Sequence, residues 1–134
     1  MADTARPLRV LVYSNDADTR HQVITAVGRR PAAELPEFEY LEVATGAVVL
    51  DRVDAGEVDL AILDGESAPT GGLGLAKQLK DEVSDCPPVL VLTGRADDAW
   101  LASWSRAEGV VSHPIDAFRL VEAIVAVLRG RSAA

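Results

Sequence analysis

The chain holds a single cysteine, Cys86, which excludes an internal disulfide and any cysteine-built metal site. It stands before Pro87-Pro88 and reads as a loop or half-buried residue. Histidine is nearly as scarce. His21 and His113 are too few for a histidine metal cluster, and His21 reads as a solvated helix residue. Lysine is confined to Lys77 and Lys80, and the formal net charge is −8. Wrapping nucleic acid needs a basic stripe, which Arg20, Arg29 and Arg30 do not supply, so a nucleic-acid partner is excluded. No apolar run reaches the ~18 residues of a membrane span. The opening Met1-Ala-Asp-Thr-Ala-Arg-Pro lacks the charged and apolar segments of a signal peptide, so a cytoplasmic protein is expected.

What is present is apolar: 49% of 134 residues, enough for one domain with a real core. The expected domain spans 1–134, with its core over about 8–129 and short tails. Its organising stretch is Val58-Asp-Leu-Ala-Ile-Leu-Asp64, a nearly all-apolar run that stops at a carboxylate and passes into a Gly- and Pro-rich loop. Such a run suits a central parallel strand covered on both faces. The pattern predicts further strands over 8–13, 38–44, 88–92 and 109–112. Helices are predicted over 16–27, 46–54, 72–83, 97–107 and 116–129, the last finishing at Gly130. The segment 29–37 reads as a surface loop. Strands alternating with helical crossovers lie parallel, with helices on both faces. The expected fold is therefore α/β: a flavodoxin-like, doubly wound, five-stranded parallel sheet of order 2-1-3-4-5. In such sheets the chemistry gathers at the carboxyl ends of the strands. Ser14, Asn15, Asp16, Asp64, Glu66, Thr93 and His113 converge there as the candidate site. An Asp at a strand tip or helix start also serves as a plain cap, so each carboxylate has a structural alternative.

These landmarks resemble the receiver domain of two-component response regulators over about Leu8 to Leu128. The resemblance rests on Asp59-Leu-Ala-Ile-Leu-Asp64 with Gly72 eight residues on, Val89-Leu-Val-Leu-Thr93, His113-Pro114 and Gly46. It implies that Asp64 stands where the family's phosphoacceptor aspartate does, and Thr93 where the family's Thr or Ser bonds the phosphoryl oxygen. The family's magnesium-holding acidic pair is replaced by Ser14 and Asn15, and its lysine by His113, before a proline expected to follow a cis bond. The aromatic of the fifth strand is replaced by Val110, and the path from Thr93 to that strand is two residues short. A lone carboxylate holds magnesium poorly, because that ion takes hard, anionic oxygens in strict octahedral geometry. Only weak magnesium binding at Asp64, helped by Asp16 or Glu66, is left open, and no resident cofactor is expected. His113 is either an ion-pair partner of Asp64 or a loop residue bonding the backbone.

If the pocket is vestigial, the fold is kept for its surface. Trp100 and Trp104 lie four apart on one side of the 97–107 helix, and each is either core or contact. Phe118 and Val125, seven apart on the last helix, stand where receivers carry charge, and with the tryptophans they are expected to form one apolar patch. The reading is a stand-alone, degenerate receiver: a non-enzymatic signalling or accessory module that binds another protein, a larger assembly or a second copy of itself. The alternative is a working phosphoacceptor, switching partners when Asp64 is phosphorylated. A flavin or nucleotide enzyme is opposed by Ser14-Asn-Asp-Ala-Asp-Thr19, which lacks glycine and carries two acids where a phosphate cradle would lie.

Overall fold

The computed structural model describes residues 6–67, 71–94 and 104–133. In order, the elements are β1 (Leu8–Tyr13), α1 (Ala17–Val27), β2 (Phe38–Val43), α2 (Gly46–Asp54), β3 (Leu60–Asp64), α3 (Gly72–Glu82), β4 (Val89–Thr93), β5 (Gly109–Ser112) and α4 (Ala117–Ala133). All neighbouring strands pair in parallel, in the order β2-β1-β3-β4-β5. This is the flavodoxin-like sheet anticipated from the strand and helix alternation.

Side-chain alternation along the strands divides the interior in two. Val10, Val12, Leu60, Ile62, Leu90 and Leu92 pack beneath α1 and α4, which contribute Val23, Val27, Leu120 and Ile124. The intervening residues, among them Leu11, Ala61, Leu63, Val89 and Val91, pack beneath α2 and α3, which contribute Val49, Val53, Leu75 and Leu79. Strands β3 and β4 are buried at every residue, as their unbroken apolar runs require.

Local chemistry fixes the element ends. Asp16 caps α1 by accepting the Asp18 N–H, Thr45 caps α2 from Val48 N–H, and Asp116 accepts the Arg119 N–H at the start of α4. Gly28 closes α1 with a left-handed φ of 74°. Gly130 does not behave this way. Contrary to the expected stop there, α4 continues to Ala133, because a glycine ends a helix only when its backbone turns left-handed, and the left-handed glycines described are Gly28 and Gly56. The 29–37 loop is tied internally, Arg30 donating to the Leu35 and Ala33 carbonyls, and externally by an Arg129–Glu34 ion pair at 3.0 Å. The peptide bond between His113 and Pro114 is cis, as expected. Most of the helix expected over 97–107, with Trp100, lies outside the described residues; Trp104 and Ser105 are helical.

Candidate functional site

Three strand ends meet around Asp64. The register sets Asp64 beside Leu92, one residue short of Thr93, while Tyr13, the last residue of β1, pairs with Leu63. The next residue, Ser14, thus arrives beside the Asp64 side chain. Ser14 is fully buried, and its hydroxyl donates to Asp64 Oδ2 at 2.8 Å. The other carboxylate oxygen, Oδ1, accepts the Glu66 backbone N–H at 2.9 Å and lies 3.4 Å from His113 Nε2. Asp64 is only 4% exposed. A carboxylate buried so far from water is held by these donors, and by charge as well when His113 is protonated. The His113 ring thus faces Asp64.

The remaining candidates divide. Asn15 is exposed and turned sideways: its N–H donates to Ser67 Oγ at 2.7 Å, and its Oδ1 accepts from the same hydroxyl at 3.1 Å. Asp16 spends both oxygens on the first turn of α1, accepting from Asp18 N–H at 2.9 Å and from Thr19 Oγ1 at 3.4 Å. Its carboxylate is therefore used as the cap of α1. Glu66 is exposed, with its backbone on Asp64 and its carboxyl group against Gly94. Thr93 is 1% exposed, and its Oγ1 finds no hydrogen-bond partner among the described residues. Behind Asp64, α3 approaches so closely that a Cβ on Gly72 would lie 2.8 Å from the Asp64 carbonyl carbon and oxygen. Among the described residues, no group of three or more His, Cys, Asp or Glu is gathered as for a metal ion.

Sequence reading passed over two members of this cluster. Ser67, three residues after Asp64, is buried and joins Asn15 to the Ser14 hydroxyl at 3.5 Å. Tyr13 hydrogen-bonds Ser67; burial pushes its phenol above the ordinary range, the Ser67 bond opposes this, and the Asp64 charge adds to it. A strand-end Tyr directly before Ser14 was the one available signal. A serine in a Gly- and Pro-rich loop gave none.

Among the described residues, the exposed aromatics Trp104 and Phe118 have different neighbours. Trp104 is 51% exposed and lies beside α3, the Lys77 ammonium 5.6 Å from its ring centroid. Phe118, 76% exposed, and Val125 line a groove of about 610 Å³ between α1, the 29–37 loop and α4, together with Ala26, Ala32 and Val121. Trp104 thus neighbours α3, and Phe118 lies on α4, whose buried side chains join the other half of the core. Sequence spacing along each helix could not reveal that. Trp100 lies outside the described residues.

No family model matches the sequence. An uncharacterized response regulatory protein of Mycobacterium tuberculosis, found in two strains, is 56% identical over 129 residues, which are 96% of this chain and 97% of that protein. The signal receiver domain of an HD domain-containing protein from Pseudomonas fluorescens superposes with a TM-score of 0.80 at 17% identity, covering 99% of this chain and 95% of its own. A LuxR-family two-component response regulator from Aurantimonas superposes with a TM-score of 0.77 at 20% identity, over 93% and 87% respectively. The two superpositions establish the receiver fold. With a relative that is 56% identical across nearly its whole length, the chain belongs to the response regulator family.

Proposed function

We propose that this receiver has lost, or retains only weakly, phosphorylation at Asp64, and works as a protein-interaction module in the cytoplasm without catalysis of its own. The observation that carries the reading is the buried Ser14 hydroxyl, 2.8 Å from Asp64. Magnesium, which the family resemblance implies, takes anionic oxygens in octahedral geometry. A neutral hydroxyl supplies no charge, Asn15 is engaged with Ser67, and Asp16 is engaged in capping. The donor set does not fit the ion. Phosphoryl transfer depends on neutralising developing negative charge, and among the described residues bonded to Asp64 only His113 offers a cationic form. What remains is surface. The groove beside Phe118 and the Trp104 face are the candidate contacts, for another protein or for a second copy. The net charge of −8 disfavours nucleic acid. No described helix is long and apolar enough to cross a membrane.

The second reading, a working phosphoacceptor, has one observation in its favour: the buried Thr93 hydroxyl at the same strand end, which has no partner among the described residues. One experiment separates the two. The protein is incubated with a small phosphodonor and magnesium, and its intact mass is measured. No phosphoryl adduct is expected. A magnesium-dependent adduct that disappears in Asp64→Ala would establish the second reading instead.

A further inference from the structure

Phe118, Val121, Val125 and Arg129 recur every three or four residues along α4, so they share one side of that helix. That side forms one wall of the groove of about 610 Å³; Ala26 of α1 and Ala32 of the 29–37 loop belong to the others. From Phe118 to Arg129 the wall runs about 17 Å, or roughly three helical turns. The two alanines leave room for side chains that another molecule brings, and Phe118 stands exposed at one end. An apolar trough of this length suits a helix laid in by its own apolar stripe. Charge decides what else that helix carries. The described charged residues bordering the groove are Glu34, Glu122 and Arg129. Arg129 is neutralised by Glu34 at 3.0 Å, whereas Glu122, midway along α4, has no ion-pair partner among the described residues. The groove thus presents an unpaired carboxylate within a chain of net charge −8. A second copy would bring another −8 and its own Glu122, so like charge opposes self-pairing here.

We propose that this groove docks a basic amphipathic helix of another protein. Apolar residues of that helix, at helical spacing, fill the space over Ala26, Ala32 and Val121, with Phe118 as the anchoring contact. A Lys or Arg on its flank pairs with Glu122. The inference rests on the reading of this chain as a protein-interaction module, and it fixes the chemistry of the partner. It asks nothing of Asp64, which lies at the end of β3 and takes no part in lining the groove.

The probe is a phage-displayed library of random peptides of about 16 residues, roughly four helical turns, selected on the whole chain. Enriched peptides are expected to carry apolar residues at helical spacing and a net positive charge, and to shift the Ala32, Val121 and Val125 amides in an NMR titration. Phe118→Ala should weaken the tightest of them at least about tenfold, and Glu122→Gln about two- to fivefold. Both residues are exposed, so an amide spectrum unchanged elsewhere reports an intact fold. The proposal is overturned if no peptide is enriched, if the enriched set is acidic or lacks helical spacing, or if Phe118→Ala binds as wild type does. A Phe118-dependent dimer in analytical ultracentrifugation without peptide also overturns it, by making a second copy the occupant. A phosphoryl adduct on Asp64 would overturn the proposed function and leave peptide binding in place. Peptide binding and a mass gain are separate readouts, so the two failures cannot be confused.

Discussion

Ser14 gives Asp64 one hydrogen bond where a carboxylate would bring a full charge, and the exchange acts on stability as well as on chemistry. Ser14→Ala should remove a donor from a buried carboxylate and destabilise by about 1.5–3 kcal/mol in urea unfolding. Ser14→Asp should set two anions against each other, lowering the melting temperature in chelator and regaining it on adding magnesium, since an ion that binds only the folded state stabilises it. Asp59, at the opposite end of β3, shows how a pH dependence arises. Burial pulls its carboxyl up, but the Arg9 amide, the Arg9 guanidinium and the Arg6 charge outweigh this and hold it below its ordinary value. A depressed folded value means stability present above the unfolded value and lost as pH falls through the folded one. Asp59→Asn should therefore flatten the acid limb of the stability curve and leave its neutral region shifted but level. Asp64, Thr93, Ser14 and His113 were legible because apolar runs give strand ends and strand ends give neighbours. The Asp16 carboxylate was not, because an Asp at a helix start serves as cap or ligand with the same sequence, and only its distance to Asp18 N–H decides.

Elements bring those residues together through close backbone approach. Gly72 lets α3 lie directly on the end of β3; Gly72→Ala should force the two apart, costing about 1–3 kcal/mol and displacing Asp64, which NMR shifts at Ser14 and Glu66 would report. The strands were readable to within two residues because β3 and β4 are buried on both faces and so carry unbroken apolar sequence. The end of α4 was not, since Gly130 in a helical conformation looks the same in sequence as a glycine that stops a helix. Nor did the spacing of Trp104 and Phe118 reveal that the first stands beside α3 and the second beside the groove between α1 and α4. Helical periodicity describes one element at a time, whereas the layer an element joins is fixed by its crossover.

Across the whole molecule, the sheet divides the interior into two sets of packed side chains, so a surface change over one face leaves the packing of the other intact. Phe118, 76% exposed, contributes little to that packing. Phe118→Glu should change folding stability by no more than about 0.5 kcal/mol while weakening association of the purified protein with its partner or with a second copy, as read by calorimetry or analytical ultracentrifugation. The groove beside Phe118 has a wall from far away in sequence: Glu34, in the loop before β2, is clasped by Arg129 near the end of α4. Both side chains are mostly in water, so ordinary salt screens the clasp. Raising ionic strength should therefore weaken the ion pair that joins this loop to the last helix, which a shift of the Glu34 amide in a salt titration would report, with no movement required of the sheet beneath.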